Sequence, residues 1–130
     1  MFLSEAGVVK LGDFGLAVQL EHSLSKRTTA CGTSLYMAPE VYQKNGELKS
    51  DVWSLGISII EMAEGKHPYG SMNSHQVVKK ICFEDSPSLT SSGWSSDLVE
   101  FVRACLVRDV NARSSVEALL KVSVSLKCEA

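Results

Sequence analysis

The stretch Asp51–Glu64, which reads DVWSLGISIIEMAE, decides the fold of this chain. Ser50 or Asp51 can cap the start of a helix and Gly65 can end it, so the stretch predicts a helix between these residues. Apolar side chains fall on every side of that helix, which is typical of a helix that is buried all round. These side chains are Val52, Trp53, Leu55, Ile57, Ile59, Ile60 and Met62. We therefore expect a mainly α-helical body built around this central helix.

Three more helices are predicted after residue 70. The first spans about Ser74–Cys82, and the second runs from Ser95 or Ser96 to about residue 106. The second helix has apolar residues at the i, i+3, i+4, i+7 spacing of one buried face, namely Leu98, Phe101, Val102 and Cys105. The third opens near Ser114, where Ser114 and Glu117 fit a capping box. Residues 86–96, which read SPSLTSSGWSS, are a clear loop.

The N-terminal part of the chain predicts a small strand pair. Val8–Leu11 is a short β-branched run between two glycines, and Leu16–Leu20 is a second apolar stretch that could pair with it. Residues 21–34 are polar and rich in hydroxyl groups, which indicates a surface loop.

Composition excludes several classes of protein. A chain of 130 residues that is 45% hydrophobic can build one core. Its 13 basic and 15 acidic residues leave a net charge of -2, so no basic field is present to hold nucleic acid. The apolar run Val52–Ile60 is far shorter than the ~20 residues that cross a bilayer, and the N-terminus does not read as a signal peptide. We expect a cytoplasmic protein with no membrane or nucleic-acid partner.

The four cysteines contain no C-x-x-C pair and are widely spaced along the chain. This spacing indicates neither a zinc site nor a thioredoxin-type redox pair. We expect Cys31, Cys82, Cys105 and Cys128 to be buried or inert thiols. The histidines His22, His67 and His75 have no spacing that suggests a metal or a catalytic base.

Two tripeptides carry the strongest functional signal. Asp13-Phe14-Gly15 follows the first strand, and Ala38-Pro39-Glu40 follows the hydroxyl-rich loop. Alone, the first tripeptide is better explained as an ordinary Asp-x-Gly turn. Its significance comes from an ordered series, which continues with Gly32-Thr33, Asp51–Gly56, Pro68-Tyr69, Cys105-Leu106, Asp109 and Arg113. In order and context the series resembles the C-terminal half of a eukaryotic protein kinase domain.

The resemblance implies an incomplete α+β kinase domain, represented by its helical C-lobe with a short β pair. Residues 1–121 would form the partial domain from just after the catalytic loop, and residues 13–40 the activation segment. Residues 122–130 would be a divergent tail, because the family's His-Pro-Phe stretch is replaced by Val122-Ser123. Residues 61–69, EMAEGKHPY, are most similar to the Sterile-20-like and MAP kinase kinase group. The Gly32-Thr33 spacing is similar to that of Ser/Thr kinases rather than Tyr kinases.

The resemblance also implies roles around ATP and Mg²⁺. Asp13 would be a metal ligand and catalytic residue, because a hard cation prefers carboxylate oxygen. Asp13, Phe14 and Gly15 would together contact the cofactor region, with Phe14 packed into the core and Gly15 allowing a turn that a Cβ would obstruct. Thr33 would bind the catalytic aspartate and line the pocket for the substrate, although a loop threonine satisfied by local backbone would look the same.

Three further residues are implied to be structural. Glu40 would form a buried ion pair with Arg113 and so tie the end of the activation segment to the last helices. Asp51 would cap the central helix and hold the catalytic loop, although capping alone would also explain an Asp there.

Four hydroxyl residues between Asp13 and Glu40 are candidates for phosphorylation by an upstream activating kinase, namely Ser23, Ser25, Thr28 and Thr29. A phosphate adds a charge of about -1.5 to -2 and can order a loop against an arginine. Thr28 or Thr29 is preferred, since both lie closest to Gly32-Thr33. At least two of the four are expected to be solvated loop hydroxyls.

The family's glycine-rich loop, its ATP-binding lysine and its H-R-D catalytic loop have no match in these 130 residues. The sequence therefore predicts part of an ATP-dependent protein serine/threonine kinase that acts on protein substrates in signal transduction. The chain alone is expected to be inactive. The alternative is a non-catalytic partial kinase that docks substrates or competes with a full-length relative.

Overall fold

The computed structural model describes residues 1–17 and 34–122 and has the expected mainly α-helical fold with a short strand pair. The strands are β1 (Phe2–Leu3) and β2 (Val9–Lys10), and the helices are α1 (Pro39–Tyr42), α2 (Ser50–Glu64), α3 (Ser74–Phe83), α4 (Ser96–Cys105) and α5 (Val116–Leu119). Single 3₁₀ turns lie at Phe14–Leu16 and Ser34–Tyr36. No helix among these residues has the length and apolarity needed to cross a membrane.

Helix α2 is the centre of the core, as predicted, but it is not buried all round. Val52, Trp53, Ile57 and Ile60 are at most 2% exposed, whereas the Met62 side chain is 67% exposed. The reason is that the described elements pack against only part of the helix surface. The helix ends at Gly65, whose φ of +67° is the left-handed conformation that glycine adopts readily. Its N-cap is Lys49, without a side-chain cap, so neither Ser50 nor Asp51 caps it.

Helices α2 and α4 cross at Gly56. A Cβ built on Gly56 would lie 2.8 Å from the Cβ of Cys105 and 2.8 Å from Cγ of Leu106. Any larger residue at position 56 would therefore collide with the buried C-terminal end of α4. Close packing of the two helices depends on the missing side chain.

The remaining helix ends follow local hydrogen bonds. In α3, Asn73 accepts from the Gln76 N–H and Gln76 accepts from the Asn73 N–H, which forms a capping box. In α5 the cap is Ser115, which accepts from the backbone N–H of Ala118, so the capping box predicted at Ser114 and Glu117 is wrong. The physical reason is that the Ser114 N–H donates to the Ala104 carbonyl. Ser114 is therefore held against α4, and α5 begins one residue later than predicted.

The strand pair has a different partner from the one predicted. β1 pairs antiparallel with β2, Phe2 opposite Lys10 and Leu3 opposite Val9. The turn between them closes through hydrogen bonds from the N–H groups of Ser4 and Gly7 to the Val8 and Ser4 carbonyls. Leu16 lies in a 3₁₀ turn, and residues 18–20 of the predicted partner lie outside the described residues. The tight turn directly after β1 brings β1 next to β2, so these two strands pair with each other.

The two cysteines within the described ranges are free, as expected for inert thiols. Cys105, the last residue of α4, is fully buried against α2, and this burial raises the pKa of its thiol to about 11. Cys82 is half-buried, and burial also raises its pKa. Neither thiol has the lowered pKa of a nucleophile. Cys31 and Cys128 lie outside the described residues.

Candidate functional site

The Asp13-Phe14-Gly15 turn lies at the surface. Asp13 adopts a left-handed conformation with φ 63° and precedes the 3₁₀ turn, which closes with a 2.9 Å hydrogen bond from the Ala17 N–H to the Phe14 carbonyl. For residues other than glycine this conformation is uncommon, although Asp tolerates it better than most. The turn therefore holds an exposed carboxylate in a conformation of the kind that clusters at functional sites.

Two expectations about this turn are wrong. The Phe14 side chain is 68% exposed rather than packed into the core, because the described elements leave its ring uncovered. Among the described residues Gly15 is not required for steric reasons, since a Cβ there would meet a carboxylate oxygen of Asp13 at an ordinary contact distance of 3.7 Å. The residue with the unusual backbone conformation is Asp13 itself.

The exposed Asp13 carboxylate fits one ligand of a Mg²⁺ ion. Mg²⁺ is commonly held by one or two carboxylates together with phosphate oxygens and water, rather than by a cage made only of protein groups. In residues 1–17 and 34–122 no group of three or more Asp, Glu, His or Cys side chains is placed to hold a metal.

Residues 34–36, which precede α1, are fixed to α2 through Tyr36. The Ser54 hydroxyl donates to the Tyr36 carbonyl at 2.9 Å, and the Tyr36 hydroxyl donates to the Glu61 carboxylate at 2.6 Å. The bond to Glu61 raises the pKa of Tyr36, because ionising the phenol would lose it. Since residues 54 and 61 are two helical turns apart, one face of α2 holds both ends of this tyrosine.

The ion pair expected between Glu40 and Arg113 is present and buried. The two guanidinium NH groups lie 2.7 and 2.9 Å from the two carboxylate oxygens, and the residues are 6% and 1% exposed. Arg113 also donates to the carbonyls of Val107, Lys49 and Arg108, which uses all five N–H donors of the side chain. The pair therefore lacks the unsatisfied donors that make buried charges costly.

Ser50 and Trp53 complete this network, which we call the Glu40–Arg113 clamp. Ser50 donates from its hydroxyl to Glu40 at 2.8 Å and accepts from the Glu47 N–H at 3.0 Å. The Arg113 guanidinium carbon lies 5.2 Å from the centre of the Trp53 ring, within range of a cation–π contact. The clamp joins the end of the predicted activation segment, the start of α2 and the loop before α5.

The other predicted site residues have mixed outcomes. Asp51 is exposed in the first turn of α2, where a negative charge favours the helix dipole without capping. Its role in holding a catalytic loop stays a prediction. The following lie outside the described residues: Ser23, Ser25, Thr28, Thr29 and Thr33.

Sequence reasoning missed the hydroxyl groups that anchor the segment. Ser50, Ser54 and Ser58 recur every four residues in an otherwise apolar helix, so they lie along one face of α2. Ser50 bonds to Glu40 and Ser54 to Tyr36, while Ser58 donates back to the Ser54 carbonyl. The regular spacing of polar residues in a helix of this apolarity was a signal that could have identified the face that holds residues 36–40.

Comparison with known proteins gives a consistent result. The sequence matches the protein kinase domain family over residues 1–124. It is 44% identical over 122 residues to serine/threonine-protein kinase dst1 of Dictyostelium discoideum, covering 92% of this chain and 17% of that protein. It is 43% identical over 131 residues to serine/threonine-protein kinase 1 of Arabidopsis thaliana, and the alignment covers 99% of this chain and 16% of that protein. It is 40% identical over 123 residues to serine/threonine-protein kinase hippo of Drosophila melanogaster, and the alignment covers 93% of this chain and 18% of that protein.

The alignments thus cover nearly all of this chain, but the chain spans less than a fifth of the length of each of these three relatives.

Proposed function

The chain belongs to the protein kinase family, with relatives of the Sterile-20-like group, and from this premise we propose that it is the substrate-side part of an ATP-dependent serine/threonine kinase. The observation that carries the proposal is the Glu40–Arg113 clamp. A buried, fully bonded ion pair 73 residues apart in sequence holds the Ala38-Pro39-Glu40 motif against α2. Such a clamp gives a segment that receives a protein substrate a fixed place on a rigid helix, which is how catalytic geometry is maintained.

In this proposal Asp13 is the metal-binding catalytic residue. When bound, Mg²⁺ with ATP would supply charge neutralisation on the phosphates during phosphoryl transfer. The exposed carboxylate of Asp13 is free of the steric cover that would block such an ion. Phe14 and Gly15 would border the same cofactor region. Thr33 would hydrogen-bond the catalytic aspartate and line the pocket for the residue that follows the target hydroxyl.

Regulation by phosphorylation forms the second part of the proposal. An upstream kinase would phosphorylate one of Ser23, Ser25, Thr28 and Thr29, with Thr28 or Thr29 preferred, and thereby order the activation segment. Changing all four residues to alanine should then abolish activation by that kinase. An activated rate equal to that of the unchanged protein would contradict this assignment. We place the protein in a cytoplasmic signalling pathway that uses protein substrates.

The 130-residue chain by itself would not catalyse transfer. Phosphoryl transfer needs groups that cradle the phosphates and a residue that positions the attacking hydroxyl, and one carboxylate supplies neither. A second candidate function, a non-catalytic docking module, is favoured by one observation. The first 14 residues expose several large apolar side chains, among them Phe2 (61%), Leu3 (73%) and Phe14 (68%), which are available to another polypeptide.

The decisive experiment compares Asp13→Asn with the unchanged residue in the full-length protein that contains this chain. Asn tolerates the left-handed conformation as well as Asp does, so the turn is kept while the charge is lost. We expect loss of phosphate transfer from labelled ATP to a generic protein substrate, with no change in thermal unfolding. Asp85→Asn, which neutralises an exposed carboxylate in the loop after α3, is the matched control and should keep full activity.

Near-normal transfer by Asp13→Asn would refute the metal assignment. If the unchanged full-length protein transfers no phosphate but still binds protein substrates, the docking function replaces the kinase function.

A further inference from the structure

His67 follows the C-terminal end of α2 and sits against the tyrosine that anchors residues 34–36. Its ring contacts the Tyr36 ring edge-on, with the centroids 4.7 Å apart, and lies 5.8 Å from the Tyr69 ring. Its Nδ1 atom accepts a 3.0 Å hydrogen bond from the Tyr69 backbone N–H. Its Nε2 atom is buried and has no hydrogen-bond partner in the part of the chain that the structure describes.

These contacts require a neutral imidazole. Because Nδ1 accepts a hydrogen bond, the ring proton must be on Nε2. A second proton would occupy the Nδ1 lone pair and remove the only acceptor that the Tyr69 N–H uses here. It would also create a cation whose Nε2–H has no partner among the described residues. Protonation of His67 and the observed packing are therefore incompatible.

The charged groups around His67 decide what a protonated ring would do. Tyr36 and Glu61 face it from the 3₁₀ turn and from α2, and Tyr69 faces it from its own turn. Burial lowers the pKa of His67 from its ordinary value of 6.5, and the Glu61 carboxylate opposes that effect. The cavity of about 470 Å³ beside the ring is also lined by Glu64, Lys66, Lys80 and Asp85.

Two of these cavity groups are already engaged. Lys80 lies 2.9 Å from Glu84, and Glu64 accepts hydrogen bonds from Thr90, Ser91 and Trp94. Among the charged groups near His67, the Glu61 carboxylate is the one that favours a protonated ring. Glu61 is the carboxylate already bonded to Tyr36, so it is the anion through which a charged His67 would act on the anchored segment.

We propose that His67 is a proton-operated latch that releases the Tyr36 hydroxyl from Glu61 of α2 when the pH falls. A solvent hydronium transfers its proton to Nδ1 and leaves as water, the Tyr69 N–H loses its acceptor, and the imidazolium turns toward Glu61. It then competes with the Tyr36 hydroxyl for the carboxylate. The link to regulation rests on the proposed function, in which residues 34–40 follow the substrate-binding Thr33, so release would weaken substrate binding under acidic conditions.

The test is a pH titration of the full 130-residue chain, labelled with ¹⁵N-histidine, by NMR between pH 7.5 and roughly 5, the range in which histidines change charge. We expect the His67 nitrogen shifts to report the Nε2–H tautomer at neutral pH and an apparent pKa below the ordinary histidine value of 6.5. The Tyr36 ring and Tyr69 amide signals should shift together with His67. His67→Asn offers an acceptor near the Nδ1 position but cannot gain a proton, so it should lose these shifts, whereas His75→Asn should keep them.

An Nδ1–H tautomer at neutral pH, or a His67 titration that leaves the Tyr36 signals unchanged, would overturn the latch. The unchanged chain alone decides this, even if His67→Asn fails to fold. Because the NMR result needs no catalysis, its outcome is independent of whether the kinase function is right. In the full-length protein, the KM for a protein substrate should rise on acidification and become pH-independent in His67→Asn. An unchanged KM together with a working latch would refute only the link to substrate binding.

Discussion

The two ends of α2 each hold a loop through a carboxylate, but they do so with different chemistry. At the N-terminal end, buried Glu40 is bonded to the cation of Arg113 and to Ser50. At the C-terminal end, Glu64 accepts hydrogen bonds from Thr90, Ser91 and Trp94, and no cation within residues 1–17 and 34–122 contacts it. Glu40 is 6% exposed, whereas Glu64 is half-buried and its loop is exposed.

The comparison teaches how burial determines the partner that a carboxylate needs. A charge removed from water is tolerated only when an opposite charge and hydrogen bonds replace the lost hydration. A carboxylate that keeps some solvent contact can be held by neutral hydroxyl and amide donors. The first arrangement fixes residues distant in sequence, and the second fixes the course of the loop after α3.

The largest expected effect comes from breaking the Glu40–Arg113 clamp. Arg113→Ala or Glu40→Ala should each lower the free energy of unfolding by about 3–5 kcal/mol, because each leaves an unpaired charge buried. The double variant should lose much less than the sum of the two, since the ion pair is lost only once. Urea unfolding followed by tryptophan fluorescence measures all three. Additive losses would mean that the two side chains are not coupled.

The matched control for that cycle is the exposed pair formed by Lys80 on α3 and Glu84, the residue that follows α3. Its atoms lie at a similar distance, 2.9 Å, but both side chains are more than a third exposed. Exposed i,i+4 pairs contribute about 0.3–0.5 kcal/mol, so the same double-mutant cycle should give a coupling several times smaller. Equal coupling in the two pairs would contradict the role assigned to burial.

The next effect concerns the middle of α2, between its two ends. Gly56→Ala should lower the free energy of unfolding by about 1–3 kcal/mol, because the added methyl group overlaps the buried end of α4 at 2.8 Å. Alanine gains up to about 1 kcal/mol of helix propensity over glycine, so a net loss shows that crowding outweighs propensity. Ser58→Ala is the control, since the Ser58 hydroxyl bonds only within the helix at Ser54 in the described contacts. Stabilisation by Gly56→Ala would disprove the tight crossing.

The features that sequence could predict are those with a periodic or ordered signal. The helix over Asp51–Glu64 and its stop at Gly65 follow from the apolar pattern, and both are confirmed. The contact between Glu40 and Arg113 was predicted from the family resemblance, which rests on the order of the motifs. No local sequence pattern could have linked two residues so far apart in the chain. The helix beginning at Ser74 is confirmed as well.

The features that could not be predicted from the sequence depend on tertiary contacts between elements. Leu16 opens an apolar stretch that is typical of a strand. However, β2 pairs with β1, because the tight turn between these two strands brings them together. Phe14 is apolar, yet its burial depends on neighbours rather than on its own chemistry, and it is exposed. Ser115 rather than Ser114 caps α5, because a hydrogen bond from Ser114 to α4 is a tertiary contact. Local preference identifies candidates, while packing chooses among them.

The smallest expected effect is acid sensitivity at the C-terminal end of α2. Hydrogen bonds from the Ser91 hydroxyl and N–H, and from Thr90, lower the pKa of Glu64 from 4.5 to about 2. Since the folded pKa is below the unfolded one, the carboxylate stabilises the fold fully above pH 4.5. That contribution is lost as the pH falls from 4.5 toward 2, because the protonated form accepts fewer hydrogen bonds. Glu64→Gln should therefore show a weaker dependence of stability on pH in this window.

The measurement is urea unfolding of the unchanged chain and of Glu64→Gln at several pH values between 7 and 2.5. Glu84 and Glu117 also have lowered pKa values and contribute to the acid sensitivity of both chains, so the difference between the chains isolates Glu64. Ser91→Ala removes the largest cause of the shift and should raise the pKa of Glu64, which carboxyl ¹³C NMR reports directly. Parallel stability curves for the unchanged chain and Glu64→Gln would show that neutral donors do not hold this loop. The contrast between the two ends of α2 would then rest on the Glu40–Arg113 clamp alone.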